Sequence, residues 1–279
     1  MTLLANGLPP VLSRWPRLLA LFSALSLGVG CGDMPPDAPT EYEELLGHAF
    51  VHMADEDPEE LIAGLENLLI LMEDDGIRHD ASQGYSIQNL DEEAVNLLDE
   101  RQRSTRDLVG ISVLAGSPHE PIDIGALLSW EDFHQVVKDT FDVYEREFDG
   151  DPECFAAQEC SWLSAQSHTE SAWAGLIDMV TEYSIEFRWV ETSWGMALLH
   201  RFWLNAPAHG DFDLVMKGNY YIGITFPDLI DGTGSLRIHG NWFDVDYGLF
   251  PVTEANAVET VVENSKTDAD KLDHWISTH

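Results

Sequence analysis

The feature that most constrains the fold is a change of hydrophobic period at Ser184. In SIEFRWVET, Ile185, Phe187 and Trp189 alternate with Glu186 and Arg188, the pattern of a strand with one face toward a core and one toward water. The next stretch repeats it through Trp194, Met196, Leu198, His200, Phe202 and Leu204. VMKGNYYIGITF and SLRIHGNWFDVDYG supply two further strands, and the PDLIDGTG between them is rich in turn residues, as a hairpin requires. The second half is therefore read as an antiparallel meander. By the same alternation, Arg237 and His239 are expected to face solvent, opposite Leu236 and Ile238.

The first half follows the helical period instead. In EYEELLGHAFVHMADED, Leu45, Ala49 and His52 fall near one face. DPEELIAGLENLLILMED follows, with Asp57 as N-cap, Pro58 at the first helical position and a stripe of Leu61, Leu65, Leu68, Leu69 and Met72. EDDGIRHDASQG reads as a loop and NLDEEAVNLLDERQ as a third helix. DLVGISVLAG, a short apolar run bounded by polar and Gly-Ser-Pro residues, reads as a buried strand. A long helix is expected from the capping box at Ser129 to near Gly150, through Phe133, Val136, Val137, Phe141 and Tyr144. SAWAGLIDMV reads as a shorter helix. The tail NAVETVVENSKTDADKLDHWI can close the fold as one or two helices packing Val258, Val261, Val262, Leu272 and Ile276, with a strand over AVETVV as the alternative. Helices followed by strands predict an α+β fold, a helical N-terminal half and then a curved antiparallel sheet on the Ser129 helix. That order is compatible with a helix-grip architecture.

The N-terminus carries an address. Arg14 and Arg17 are the charges ahead of LLALFSALSLGVG, and the apolar run from Leu18 to Gly30 is about 13 residues. As a helix it reaches roughly 20 Å, short of the roughly 30 Å hydrocarbon core, so a transmembrane span is not expected. Small residues Gly28 and Gly30 precede Cys31. This segment resembles the bacterial lipoprotein signal, in which a lipobox ends in the cysteine that receives diacylglycerol; here Leu27 stands four places before Cys31. The resemblance implies export, lipid on Cys31 and anchoring to a bacterial membrane, the outer membrane by preference. Gly28-Val29-Gly30 also suits ordinary signal peptidase. The chain then divides into a signal peptide over 1–30, a lipid-anchored linker over 31–40, a helical region over 41–106 and an α+β region over 107–279 that can form one domain with it.

The remaining cysteines, Cys154 and Cys160, lie close together in DPECFAAQECSW. An exported chain can pair them, leaving Cys31 for the lipid; two free thiols are the alternative. A bridge would interrupt any helix there, because a helix puts positions six apart on different faces.

Asp and Glu number 50 against 14 Lys and Arg, a formal net charge of −36. Nucleic acid is excluded as a partner, since no cationic stripe exists to displace counterions. Anionic head groups would also repel the mature chain, so membrane affinity would have to come from the acyl chains.

Motifs for chemistry are sparse. Glu44, His48 and His52 would stack one turn apart on a helix, and histidines at this spacing can chelate zinc. Ala49, however, occupies the place of the glutamate that a helical zinc protease needs. PDLIDGTGSLRI fails as a calcium loop, with Leu236 in place of the required glycine and Trp242 in place of the bidentate glutamate. No Gly-x-Ser-x-Gly elbow or glycine-rich phosphate loop occurs, and no cofactor is implied. His200 shares a strand face with Leu198 and Phe202, so a buried imidazole is expected there, either bonded to a backbone carbonyl or anchoring a ligand in a cavity walled by Trp189, Phe202 and Tyr221.

Three functions remain, in order of preference. The first is a non-catalytic binding or interaction module of the cell envelope, which predicts an exposed aromatic patch. The second is a carrier of an apolar small ligand, which predicts an enclosed cavity of several hundred Å³. The third, a hydrolase or metal-dependent enzyme, needs titratable groups converging in a cleft.

Overall fold

A computed structural model describes residues 38–98, 104–138, 140–173, 177–230, 232–248 and 253–279. The signal-like segment and Cys31 lie outside the described residues.

Among the described residues, nine strands form one antiparallel sheet in the order β1-β2-β9-β8-β6-β5-β4-β3, with β7 added beside β8. The strands are β1 (Tyr85–Ser86), β2 (Val109–Ser117), β3 (Val143–Asp149), β4 (Trp162–Trp173), β5 (Ile177–Thr192), β6 (Gly195–Leu204), β7 (Ala208–His209), β8 (Val215–Pro227) and β9 (Ser235–Asp246). Two tight reversals define the meander. Thr192 pairs with Gly195 at the β5–β6 turn, and Pro227 with Ser235 at the base of the β8–β9 hairpin.

Both faces of the curved sheet are covered. The first is packed by α1 (Tyr42–His52) and α2 (Glu59–Met72), whose leucines join Leu199, Trp203, Tyr220, Ile222, Ile224, Ile238 and Trp242 in one core. α2 starts at Glu59, with Pro58 rather than the expected Asp57 at the cap position; Asp57, one residue further out, accepts a hydrogen bond from the Glu59 amide. The segment read as a loop is α3 (Asp75–Gln83), because Asp74 caps the amides of Gly76 and Ile77 and Ala81 is buried. The third helix is α4 (Glu92–Leu98). A cation buried on this face is made tolerable by its partners: Arg201, 1% exposed, pairs with Glu186 at 2.6 Å and donates to the Phe50 carbonyl.

The opposite face holds α5 (Pro121–Leu128), α6 (His134–Val137), α7 (Pro152–Ala156) and the 25-residue α8 (Glu254–Thr278). Here the expected long helix from Ser129 is overturned. α6 is one turn, and Tyr144, Arg146 and Phe148 belong to β3, where they alternate with Glu145 and Glu147. The helix that the sheet wraps is α8, whose Val258, Val261 and Val262 pack near Ile111 while Leu272, Trp275 and Ile276 join the cluster beneath β5 and β6. The described parts of SAWAGLIDMV are strands and not the expected helix: Ser171–Trp173 finish β4, and Ile177 onward begin β5. The result is a helix-grip architecture.

Cys154 and Cys160 form a disulfide with Cα atoms 5.3 Å apart. The expected break is present: α7 stops at Ala156, Gln158 takes a positive φ of 60°, and the Glu159 and Cys160 amides both return to the Cys154 carbonyl. Among the described residues no helix is long and apolar enough to cross a membrane.

Candidate functional site

Between the α8 face of the sheet and α5, α6 and α8 lies a cavity of about 380 Å³, within the size range of small-ligand sites. Strand alternation decides its wall. On β5 and β6 the residues turned inward are Ile185, Phe187, His200 and Phe202; on β8 and β9 they are Tyr221, Gly223, Thr225, Arg237, His239 and Asn241. Tyr144 and Arg146 of β3 close one side, and Val261, Ala269 and Leu272 of α8 lie over the top.

The register places Phe187, His200, Gly223 and His239 side by side on four neighbouring strands. Gly223 is what makes this row fit, because a Cβ there would fall on the His200 imidazole. The His200 ring stacks toward Phe187 at 6.2 Å and lies 5.1 Å from the Tyr221 ring, which stacks on Phe202 at 4.5 Å. Tyr221 Oη is 2.5 Å from His239 Nδ1. Burial holds the phenol well above its ordinary value, so it keeps its proton and shares one hydrogen bond with the neutral imidazole, the direction being set by the tautomer.

The two histidines border the cavity yet are surrounded by protein. Burial lowers both to about 3, helped at His200 by the charges of Arg146 and Arg237 and at His239 by that of Arg237. Both are neutral at physiological pH. Arg237, 2% exposed, donates from Nη2 to the Ala269 carbonyl at 2.9 Å and lies 3.2 Å from Asp273. Arg146 donates to the Leu128 carbonyl and to Tyr144 Oη, with its guanidinium 4.7 Å from the Phe133 ring. Asp268 pairs with Lys271 at 3.5 Å, and burial pushes its carboxyl up.

Of the residues singled out in the sequence, His200, Phe202 and Tyr221 line the cavity. Trp189 does not. It fills the neighbouring core, stacked on Phe155 at 5.5 Å with its indole N–H donating to the Phe155 carbonyl at 2.9 Å. Arg237 and His239 are corrected from solvent-facing to cavity-facing. Their alternation with Leu236 and Ile238 was genuine, but both faces of β9 are covered, so a polar face here marks a cavity wall rather than water. Arg146 was missed because β3 was read as helix; VYEREFD carries a period of two that could have revealed it.

The triad Glu44, His48 and His52 is not assembled. Glu44 accepts from Gln88 at 3.3 Å, and His48 Nε2 meets the Glu60 carbonyl at 2.8 Å. His52 instead faces Asp55 at 2.7 Å and Glu60 at 3.1 Å, so this cluster is satisfied by contacts among its own side chains. The two histidines do stack on α1, with imidazoles 4.3 Å apart, but the carboxylates that reach His52 come from the α1–α2 turn, Asp55, and the start of α2, Glu60.

No protein-family model matches this chain, and no curated protein matches it in sequence. Among solved structures, the crystal structure of Ara h 8.0201 is similar at 10% identity, covering 62% of this chain and 99% of that one, with a TM-score of 0.38. A START superfamily protein from Mycobacterium smegmatis has 12% identity, 61% and 97% coverage and a TM-score of 0.37. A protein from Rhizobium leguminosarum has 7% identity, 62% and 96% coverage and a TM-score of 0.38. Such low scores carry no argument about ligand. The architecture stands on the strand order and α8 of this chain.

Proposed function

We propose that this protein carries an apolar small molecule between the sheet and α8. The observation that supports this reading above the others is the partly open, largely aromatic and aliphatic cavity of about 380 Å³. A space of this size lined by Phe187, Phe202, Tyr221 and Leu272 rewards transfer of an apolar body out of water, at roughly 25 cal/mol per Å² of surface removed. An envelope interaction module needs a contiguous apolar patch. The exposed large apolar residues are instead spread over separate elements, including Ile70 on α2, Ile122 on α5, Val180 on β5 and Phe212 after β7. An enzyme needs a nucleophile or base in register with a partner. Among the described residues neither His200 nor His239 is hydrogen-bonded to a serine or a carboxylate.

Export and lipid attachment at Cys31 remain part of the proposal, and would place this carrier at a bacterial membrane surface. Intact-mass analysis of membrane-extracted protein tests that part: a chain of 31–279 plus a diacylglyceryl group is expected, and a lipid-free chain overturns it.

The carrier reading is tested with the neutral fluorescent dye N-phenyl-1-naphthylamine. Wild-type protein should bind it one-to-one with a rise in emission. Ser167→Phe, which fills space at a residue lining the cavity, should weaken binding about tenfold or more while the urea midpoint stays near wild type. Equal binding by the filled variant would show that the dye sits elsewhere, and the carrier reading would fail.

A further inference from the structure

Several polar nitrogens in the cavity wall are unused. Arg237 Nε and Nη1, His239 Nε2, His200 Nδ1 and Arg146 Nε have no hydrogen-bond partner. Buried polar groups normally find partners, and an orphan costs on the order of 1–3 kcal/mol. Five such nitrogens on four residues of one cavity are too many to be packing faults. Three of them, on the two arginines, can only donate, and each neutral imidazole can present a donor by choice of tautomer; Asn219 Oδ1, an acceptor in the same wall, is also unpartnered.

Charge points the same way. The chain holds 50 acidic residues against 14 Lys and Arg, so a carboxylate is cheap to place beside any arginine. Arg201, on the helix-packed face, has Glu186; Arg237 has Asp273. Arg146 has no ion pair among the described residues, although its guanidinium sits inside a ring of Phe133, Tyr144, Phe148 and Phe187, with Cζ 4.7–5.7 Å from each ring centre. The carboxylate of the cavity itself, Asp268, is already matched by Lys271. The cavity thus carries one uncompensated positive charge within an aromatic wall, in a molecule that is otherwise strongly negative.

We propose that the ligand is an amphiphile with a single anionic head, a carboxylate in the simplest case, received by Arg146, His200, Arg237 and His239, with its apolar body against Phe202, Tyr221 and α8. This deepens the carrier reading and rests on it. A carboxylate supplies acceptor lone pairs to the orphaned donors and a negative charge to Arg146, and charge-assisted hydrogen bonds are the strong ones. A neutral alcohol of the same length offers one oxygen and no charge, and an ammonium offers no acceptor at all.

The experiment is displacement of N-phenyl-1-naphthylamine at pH 8 by dodecanoate, dodecanol and dodecylamine, each below its micelle concentration or solubility limit, on wild type and on Arg146→Met and His200→Phe. Wild type should prefer dodecanoate over dodecanol by about tenfold or more. Each variant should bring the two within about threefold. Because the head-group preference is read first on wild type, the test does not depend on either variant folding. If dodecanoate and dodecanol compete equally on wild type, or dodecylamine competes best, the anionic-head proposal is overturned while dye binding keeps the carrier reading intact. If neither the dye nor any of the three amphiphiles binds, the carrier reading itself fails and takes this proposal with it.

Discussion

Gly223 has the smallest side chain in the cavity wall and does most to shape it. The His200 ring occupies the volume into which any Cβ at 223 would project, so Gly223→Val must push the imidazole away from Phe187 and Tyr221. Overpacking of this kind typically costs about 1–3 kcal/mol. We therefore expect a lower urea midpoint together with weaker dye binding, and an unchanged midpoint would mean that the ring moves freely. The two histidines make a second prediction, in pH. Their folded values near 3 lie below the ordinary imidazole value of 6.5. Between those limits the unfolded chain binds more protons than the native one, so stability is complete above about pH 6.5 and is lost as pH falls. The slope should be on the order of 1 kcal/mol per pH unit for each ring. His48, also lowered, acts in the same direction, whereas Asp268, raised by burial, offsets part of the loss at the acid end. Urea titrations at pH 7, 6 and 5 should show the decline, and His200→Phe should flatten it.

At the scale of elements, α8 is fastened mainly through its second half. Asp273 accepts from Ser117 at 2.7 Å and pairs with Arg237, the Arg237 guanidinium also holds the Ala269 carbonyl, and His119 Nε2 lies 3.0 Å from both the Asp273 carbonyl and Ser277 Oγ. Asp273→Ala would leave the buried arginine without its counter-charge, a loss of about 3 kcal/mol by comparison with other broken buried pairs. Hydrogen exchange should then quicken along α8 while α1 and α2, packed on the far face of the sheet, keep their protection. Uniform loss of protection would instead mean that α8 and the sheet unfold as one unit. The same fastening bears on ligand entry, since α8 lies over the cavity and its N-terminal half meets β2 chiefly through Ala257, Val258, Val261 and Val262.

For the whole molecule, a net charge of −36 sets a constant self-repulsion against which two apolar layers hold the sheet. Salt screens that repulsion over about 10 Å at 0.1 M, so raising NaCl from about 10 mM to about 0.5 M should lift Tm by several degrees. A flat response would show that the acids are spaced widely enough not to matter. The charge also separates the two faces of the sheet by function. On the α1–α2 side Arg201 is fully partnered within a close-packed core, whereas on the α8 side space is left open and donors are left unmet.

Period carried much of the fold. The alternation through β5, β6, β8 and β9, the leucine stripe of α2 and the apolar run of β2 were legible because each buries a regular face, and a regular face leaves a regular pattern. His200, Phe202 and Tyr221 could be singled out for the same reason, as residues sharing strand faces with apolar neighbours. Legibility ended where the pattern was shared or interrupted. VYEREFD fits either period when read with the apolar residues before it, and the competition between a helix from Ser129 and strand β3 is settled by pairing with β4, a contact that no local window contains. Trp189 was placed in the wrong compartment because alternation assigns a face and not a position along it. Arg237 and His239 were given to solvent because polarity in sequence cannot distinguish water from a polar-walled cavity. Only the tertiary structure decides that, by laying α8 across the second face of the sheet and bringing Arg146 from one end of it toward Arg237 near the other.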